Sequence, residues 1–278
     1  MGQVKVAVVQ FEPLIGELQR NMDHVAAMIS KYTEGDAIDI LMLCEMPFTG
    51  YCFKDRTEIE PFAELAGSGP TFEWCRAQAT RLRCLVACGY VEQGATDCAP
   101  PPLYNSMMVL SPKGELVYNA RKTFLYATDK PWATANPASF GSWYCPWLDR
   151  QLSFGICMDI NPNDFTAPWE AYEFASSIVK AKSSLVLFSS AWNDFCPEET
   201  SNSALPTIQY WVNRLVPVIE SLQSHDDGRN CYFICSNRTG IERGTSFVGG
   251  SCVLGLRGPS LLAMAGRFDE TVLITTIP

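Results

Sequence analysis

Residues 153–159 have the sequence Ser153-Phe154-Gly155-Ile156-Cys157-Met158-Asp159, in which an apolar run ends at a cysteine. The run is typical of a buried strand, so Cys157 is predicted to stand at the carboxyl end of that strand. A cysteine nucleophile reacts as the thiolate, and a neighbouring base usually removes its proton. The chain has only two histidines, His24 in an amphipathic helical pattern and His225 in a polar loop. If Cys157 is catalytic, we therefore expect its base to be a carboxylate.

Two other segments have the same form, in which a predicted strand is followed by a polar residue and a loop. The apolar run at residues 38–44 precedes Glu45, and a third segment ends at Lys122. The ends of strands often collect functional groups in layered α/β folds. Taken alone, each residue has an ordinary explanation: Glu45 as a strand-end or ion-pair carboxylate, Lys122 as a surface charge and Cys157 as a core thiol.

Helical periodicity alternates with apolar, strand-like runs along the rest of the chain. Strands are predicted at 4–10, 38–44, 85–91, 104–110, 115–119, 151–156, 184–189, 231–236, 246–254 and 271–277. Helices are predicted at 17–32, 71–83, 169–181 and 205–222, the last with a kink at Pro217. Loops or irregular structure are predicted at 96–102 and 122–146. This order predicts a mixed α/β fold with helices packed outside sheets. Because neither a linker nor a repeat is visible, we expect a single domain over residues 1–278.

Composition and charge limit the function classes. Apolar residues make up 47% of the 278 residues, and 21 basic against 30 acidic residues give a formal charge of −9. This charge argues against nucleic acid and anionic membranes as main partners. No apolar run approaches the ~18 residues of a membrane span, and no secretion signal is visible. The twelve cysteines are therefore predicted to be thiols in a reducing compartment, the cytoplasm or alternatively the nucleus.

Neither a metal nor a cofactor is predicted. Cys84 and Cys88, like Cys231 and Cys235, are four residues apart in strand-like segments. Such a spacing separates the two residues by about 13 Å along a strand. That distance is too great for the two thiols to share one zinc ion.

Four segments together resemble the nitrilase superfamily of carbon–nitrogen hydrolases. They are Leu43-Cys44-Glu45-Met46-Pro47-Phe48-Thr49-Gly50-Tyr51, Tyr118-Asn119-Ala120-Arg121-Lys122-Thr123-Phe124-Leu125, Gly155-Ile156-Cys157-Met158-Asp159 and Ser236-Asn237-Arg238-Thr239-Gly240-Ile241-Glu242. Their order and spacing suit the family over nearly the whole chain. The resemblance implies a nitrilase-like α-β-β-α sandwich, which members of the superfamily commonly pair into dimers. Both a monomer and a homodimer of that type remain open.

The resemblance also implies a thiol amidohydrolase mechanism. Cys157 would attack an amide carbon, and Glu45 would take the thiol proton and return it to the leaving ammonia. Lys122 and the backbone N–H of Met158 would stabilise the oxyanion. Water would then hydrolyse the thioester, again with Glu45 as the base.

A second active-site carboxylate is the point at which the sequence departs from the family pattern. Many members of the superfamily carry a glutamate eight residues after the lysine. Lys130 occupies that position here, and the adjacent Asp129 is the acidic residue that could replace the glutamate.

Two stretches are similar to one branch of the superfamily, the fungal protein N-terminal amidases of the N-degron pathway. They are Lys122-Thr123-Phe124-Leu125-Tyr126-Ala127-Thr128-Asp129 and Gly155-Ile156-Cys157-Met158-Asp159-Ile160-Asn161-Pro162. Members of this branch convert an N-terminal Asn or Gln into Asp or Glu. The implied partners are therefore protein or peptide N-termini that bear Asn or Gln.

A substrate of this kind has a free α-ammonium group, so its pocket should offer a carboxylate. The acidic candidates near predicted strand ends are Asp159, Asp164, Glu170 and Asp194. Of these we favour Asp164 and Asp194. The aromatic residues Trp192 and Tyr51 could form walls of the side-chain pocket, with ordinary core packing as the alternative.

Other functions remain open at this point. A small-molecule ω-amidase or carbamoylase and a nitrile hydrolase of the same superfamily would share the three reactive residues. A non-catalytic, nitrilase-like binding protein is the third alternative, and the intact set of Glu45, Lys122 and Cys157 argues against it.

Overall fold

The computed structural model describes residues 2–95, 99–225 and 228–278. Within them, the strands in chain order are β1 Val4–Gln10, β2 Ile40–Met42, β3 Glu64–Leu65, β4 Leu85–Gln93, β5 Leu103–Leu110, β6 Leu116–Arg121, β7 Ser142–Cys145, β8 Arg150–Ile156, β9 Leu185–Ser190, β10 Tyr232–Asn237, β11 Thr239–Glu242, β12 Thr245–Val248, β13 Cys252–Gly255, β14 Ser260–Met264 and β15 Thr271–Ile277. The α-helices are α1 Leu18–Met28, α2 Arg56–Ile59, α3 Pro70–Leu82, α4 Glu173–Ala181, α5 Leu205–Arg214 and α6 Val216–Ser224. Residues 96–98 of the predicted loop at 96–102, including Cys98, lie outside the described residues.

Two main sheets share one plan, in which three central parallel strands are flanked by antiparallel strands. The first sheet has the order β15-β1-β2-β4-β5-β6, with the short β3 paired to β4. The second has the order β14-β13-β10-β9-β8-β7. Strands β1, β2 and β4 are parallel in the first sheet, and β8, β9 and β10 are parallel in the second. Strands β11 and β12 form a separate hairpin.

The sheets pack face to face, and helices cover their outer faces. Strand β1 shows that the first sheet is covered on both faces, because successive side chains of a strand point to opposite faces. Val6 and Val8 belong to the core that extends into the second sheet, whereas Ala7 and Val9 belong to the core beneath α1 and α3. Both faces of β1 are therefore buried, as its apolar sequence predicts. The predicted α-β-β-α sandwich is confirmed.

Three predicted elements differ from the observed ones. The predicted strand at 246–254 is divided into β12 and β13, because Gly249 and Gly250 adopt left-handed φ values of 60° and 73°. The predicted helix at 205–222 is two helices, and Pro217 lies in the first turn of α6, where its missing N–H is not needed. The predicted helix at 169–181 begins only at Glu173, after Tyr172 at a φ of 43°.

Four strands have no counterpart in the prediction, and one of them is the two-residue strand β3 beside β4. Strand β7 lies inside the segment at 122–146, which we expected to be irregular, and β11 and β14 were not predicted. Strands β7 and β14 are at the edges of the second sheet, and β11 belongs to the small hairpin. They are short, and β7 and β14 expose much of their surface. No α-helix in the described ranges has both the length and the apolar character needed to cross a membrane.

Strand β4 passes very close to the backbone that carries Glu45. A Cβ atom placed on Gly89 would lie 2.5 Å from the nitrogen of Met46, 2.7 Å from the oxygen of Cys44 and 2.9 Å from the Cα of Glu45. All three contacts involve backbone rather than flexible side chains. Any residue larger than glycine at position 89 must therefore displace the chain that follows β2.

We predict that Gly89→Ala lowers the free energy of unfolding by about 1–3 kcal/mol, because overpacking of a tightly packed region costs about that much. Chemical denaturation monitored by circular dichroism measures the change. Gly258→Ala is the matched control, because nothing lies within 4 Å of the Cβ it adds. Equal stability of the two variants would contradict the prediction.

Candidate active site

The three reactive side chains predicted from the sequence come from loops that follow different strands and meet between the sheets. Glu45 follows β2 and Lys122 follows β6, both in the first sheet, whereas Cys157 follows β8 in the second. The Lys122 Nζ lies 2.6 Å from the Glu45 Oε1 and 2.6 Å from the Asp129 Oδ2. Lys122, Glu45 and Asp129 are fully buried. Their mutual charges therefore act with little screening by water.

Two further donors hold the carboxylates in place. The Asn105 Nδ2 donates to the Glu45 Oε1 at 2.7 Å and to the Asp129 Oδ1 at 3.0 Å. The backbone N–H of Ala191 donates to the Glu45 Oε2 at 2.7 Å. Sequence reasoning missed Asn105, although one signal was present. It is a polar residue inside β5, a strand whose residues are all buried.

Cys157 begins a 3₁₀ turn directly after β8, and its φ of 45° lies in the left-handed region. The carboxylate of Asp159 stabilises this turn, since its Oδ2 accepts a hydrogen bond of 2.8 Å from the N–H of Ile156. The other oxygen, Oδ1, accepts from the N–H groups of Thr123 at 2.9 Å and Phe124 at 2.8 Å. One buried side chain thus connects the cysteine turn to the backbone that follows the active-site lysine.

The proton affinities of the cluster follow from burial and from the neighbouring charges. Burial alone would lower the pKa of the Lys122 ammonium, but the carboxylates of Asp129 and Glu45 outweigh burial and raise that pKa. Burial raises the pKa of the Glu45 carboxyl, and Lys122 counteracts only part of the rise. Burial and the Glu45 charge raise the pKa of the Cys157 thiol, while Lys122 lowers it. Lys122 is therefore a stable cation, and Glu45 is a carboxyl of increased proton affinity near a thiol.

A cavity of about 390 Å³ opens above Cys157. Its walls include Met158, Trp192 and Tyr210, and the two aromatic rings lie 5.7 Å apart between centroids. Cys157 itself is 7% exposed. An elongated substrate can therefore reach the thiol from solvent with one end, while Lys122 and the two carboxylates stay buried.

The ionisable side chains of the cavity wall carry a net negative charge. Asp194 and Glu199 line the cavity together with a single guanidinium, Arg267. The Arg267 Nη2 lies 2.6 Å from the Asp194 Oδ2, and its Nη1 lies 3.3 Å from the Glu199 Oε2. The same two nitrogens also donate to the backbone carbonyls of Cys196, Glu199 and Ser201. Arg267 is thus engaged with the wall, and two carboxylates face one cation.

The acidic residues predicted as partners of an α-ammonium group differ in whether they line the cavity. Asp194 lies in the cavity wall, whereas Asp164 is absent from the wall and pairs on the surface with the Lys130 Nζ at 2.5 Å. Glu170 is exposed on a 3₁₀ turn. The carboxylate of Asp159 already accepts the three backbone N–H groups described above. Asp164, Glu170 and Asp159 are thus all absent from the residues that line the cavity, whereas Asp194 is among them.

The remaining predicted residues divide between the cavity and the buried cluster. Met158 and Trp192 line the cavity. Tyr51 does not, because its ring lies beneath Lys122, with the Nζ 5.4 Å from the ring centroid, and its hydroxyl donates to the Asp129 Oδ2 at 3.3 Å. Asp129, the predicted second carboxylate, lies in the buried cluster beside Lys122. A tight turn after Tyr126 directs Asp129 inward and Lys130 outward.

Neither histidine takes part in this site. The His24 Nε2 lies 3.3 Å from the Glu270 Oε2 near the surface, and the exposed His225 bonds the carbonyl of Ser221. Among the described residues, no three His, Cys, Asp or Glu side chains are arranged as ligands for a metal ion. The site brings together a thiol, a carboxyl of raised proton affinity and a buried ammonium.

Comparison with known proteins identifies the family. A family model described as carbon-nitrogen hydrolase matches residues 5–161. The protein N-terminal amidase of Schizosaccharomyces pombe is 32% identical over 271 residues, which cover 91% of this chain and 91% of that protein. The chain belongs to the carbon–nitrogen hydrolase family. It is a hydrolase of carbon–nitrogen bonds that acts on amides.

Other relatives agree with this assignment. The protein N-terminal amidase of Saccharomyces cerevisiae is 33% identical over 208 residues, which cover 68% of this carbon–nitrogen hydrolase and 45% of the longer relative. A crystal structure of an N-terminal amidase with an Asn-Glu-Ala peptide has a TM-score of 0.86 to it at 21% identity, over 99% of this chain and 97% of that one. The predicted similarity to fungal protein N-terminal amidases is confirmed, and the structural likeness is one of fold.

We predict that Asp159→Asn lowers kcat by about 10²-fold, a loss typical of a reacting group displaced by about 1 Å. An amide has one accepting oxygen, so it cannot satisfy the N–H groups on both sides of the carboxylate. Steady-state kinetics on the substrate, with a thermal melt to verify folding, measures the effect. Asp164→Asn is the matched control, since it changes an exposed carboxylate only five residues away. Wild-type turnover in folded Asp159→Asn would contradict the prediction.

Proposed function

We propose that this carbon–nitrogen hydrolase deamidates the N-terminal Asn or Gln of peptides or proteins to Asp or Glu and releases ammonia. The observation that carries the proposal is a thiol at the floor of an open, net-negative cavity, with the buried pair of Glu45 and Lys122 next to it. The relatives in two yeasts that are named protein N-terminal amidases support the same activity. The solved N-terminal amidase structure that contains an Asn-Glu-Ala peptide supports a peptide substrate.

The proposed reaction proceeds through a thioester. Glu45 accepts the proton of Cys157, and the sulfur attacks the carbon of the side-chain amide. The developing oxyanion is stabilised by the Lys122 ammonium and by the backbone N–H of Met158. Glu45 then gives its proton to the leaving ammonia and later takes one from the water that hydrolyses the thioester. The raised proton affinity of Glu45 suits a group that must both accept and return a proton.

The buried Asp129 has an electrostatic role in this proposal. It gives Lys122 a second carboxylate, so that the ammonium keeps its charge while Glu45 changes protonation state during the cycle. The Lys122 cation can thus act as a constant donor to the oxyanion. Asn105 contacts both carboxylates and keeps them at fixed positions around the lysine.

Charge in the cavity supports an α-ammonium substrate over a free amino-acid amide with its α-carboxylate. A carboxylate ligand would have to compete with Asp194 and Glu199 for the wall cation Arg267. Both Nη groups of Arg267 are engaged with these carboxylates and with backbone carbonyls, and only its buried Nε has no partner among the described residues. An ammonium ion would instead meet two wall carboxylates beside one guanidinium. Its contact with Asp194 would add to those that this carboxylate already makes, with Arg267 at Oδ2 and with the N–H of Cys196 at Oδ1. We propose Asp194 as the carboxylate that faces the α-ammonium, and Trp192 as a wall of the cavity.

Mass spectrometry tests the activity directly. Peptides that begin with Asn or Gln are expected to gain about one dalton on incubation with the enzyme, because hydroxyl replaces amide nitrogen. We predict that Cys157→Ala abolishes this gain and that Glu45→Gln lowers kcat by about 10²–10⁴, the range for loss of a general base. Unchanged peptides with wild-type enzyme, together with turnover of free amino-acid amides, would favour a small-molecule amidase instead.

Acetylation of the substrate tests recognition of the amine. We predict that an Ac-Asn peptide is deamidated much more slowly than the free peptide, because a missing charge partner in a desolvated pair costs about 2–5 kcal/mol. Asp194→Asn should raise KM for the free peptide and leave the rate for the acetylated one unchanged. Glu199→Gln serves as the comparison, since it removes a more exposed carboxylate from the same wall. Equal rates for free and acetylated peptides would refute recognition of the α-amine.

A further inference from the structure

Ser190 is the last residue of β9 and stands beside the cysteine turn. Strands β8 and β9 are parallel, and their register pairs Ile156 with Ser189. The next residues along the chain are Cys157, which begins the 3₁₀ turn after β8, and Ser190, which ends β9, so the two residues are neighbours at this end of the sheet. Ser190 is fully buried. Its hydroxyl is thus held next to the sulfur and away from water.

The backbone around Ser190 is fixed, but its hydroxyl has no partner. The carbonyl of Ser190 accepts from the N–H of Glu45 at 3.4 Å and from the N–H of Arg238 at 3.3 Å. In contrast, the Ser190 Oγ finds no hydrogen-bond partner in the described parts of the chain. A buried hydroxyl without a partner destabilises the fold, because it has lost its hydrogen bonds to water. A fully buried, unpaired donor beside a reactive atom therefore requires an explanation.

The sulfur of Cys157 provides that explanation. A neutral thiol is a weak acceptor, whereas an ionised acceptor forms hydrogen bonds about twice as strong as a neutral one. We propose that the Ser190 hydroxyl is a preorganised hydrogen-bond donor for the Cys157 thiolate, and that it obtains its partner only when the thiol is ionised. The Ser190 hydroxyl keeps its proton throughout, and the thiol proton goes to Glu45.

The electrostatics of the site agree with this role. Burial and the charge of Glu45 raise the pKa of the Cys157 thiol. Lys122 opposes them, but its ammonium is shared between Glu45 and Asp129. The Ser190 hydroxyl does not form a hydrogen bond of good geometry with the neutral thiol, but it lies close enough to the sulfur to lower the pKa of the thiol, as does the N–H of Ala191. Since Ala191 already donates to Glu45 at 2.7 Å, Ser190 is the donor that remains available to the sulfur.

The rate of Cys157 alkylation by iodoacetamide, followed as a function of pH, tests the proposal. The peptide that contains Cys157 is quantified by mass spectrometry, so the other thiols do not contribute. Removal of one hydrogen bond to a charged group should move the midpoint of the profile upward by about one pH unit in Ser190→Ala. At a fixed pH below the midpoint, the variant should react about tenfold more slowly than wild type.

Ser189→Ala is the matched control. Ser189 is the preceding residue of β9, is equally buried and also has a hydroxyl without a partner. Its side chain points to the opposite face of the sheet, so its removal should leave the alkylation profile unchanged. A profile of Ser190→Ala that matches wild type, or an equal shift in Ser189→Ala, would overturn the proposal.

A second pair of variants keeps the proposal testable if Ser190→Ala does not fold. Ser190→Thr and Ser190→Val have nearly the same shape, and only the first retains the hydroxyl. The proposal requires a higher midpoint for Ser190→Val than for Ser190→Thr, and equal midpoints would overturn it. The inference rests on the proposed role of Cys157 as nucleophile, but alkylation needs no substrate. Failure of deamidation by wild-type enzyme is therefore distinguishable from failure of the Ser190 proposal.

Discussion

The buried contact of Lys122 with Glu45 and Asp129 is the constraint on which the rest of the site depends. A charge removed from water is costly unless partners and hydrogen bonds compensate it. Here one ammonium lies 2.6 Å from each of two carboxylates, and Asn105 and the N–H of Ala191 complete the carboxylate contacts. The participating groups come from separate strands and loops. Among them, the N–H of Ala191, which follows β9, links Glu45 to the second sheet.

Buried carboxylates also act as connectors elsewhere in the molecule. The Glu242 Oε1 accepts from the N–H groups of Tyr51 and Cys52, and its Oε2 pairs with the Arg238 Nη1 at 2.5 Å. This contact links the β11–β12 hairpin to the loop that follows Glu45. Asp159 connects the cysteine turn to the lysine segment in the same manner. Short loops that would be mobile alone are thus held by charge-assisted hydrogen bonds, which are stronger than neutral ones.

Much of this arrangement could be predicted because the end of a buried strand is recognisable in a sequence. An apolar run buried on both faces ends where a polar residue can reach the edge of the sheet, as at Glu45 and Cys157. The family resemblance added Lys122 and the sandwich of two sheets. The edge strand β7 escaped prediction because a short, exposed strand needs no long apolar run. Two glycines divided a strand that the apolar pattern had made continuous.

The sequence by itself determined the fold class and the family, and it predicted Glu45, Lys122 and Cys157 as reactive side chains, since these inferences depend on local apolar runs and short motifs. Only the tertiary structure decided which other residues lie beside these three side chains. Asp129 and Lys130 are adjacent in sequence, yet a turn buries the first against Lys122 and leaves the second at the surface. Asp194 reaches the cavity and Asp164 does not. The unpaired hydroxyl of Ser190 is visible only once β8 and β9 are in register. The physical reason is that burial and pairing of a polar group depend on contacts between distant segments, which local sequence does not encode.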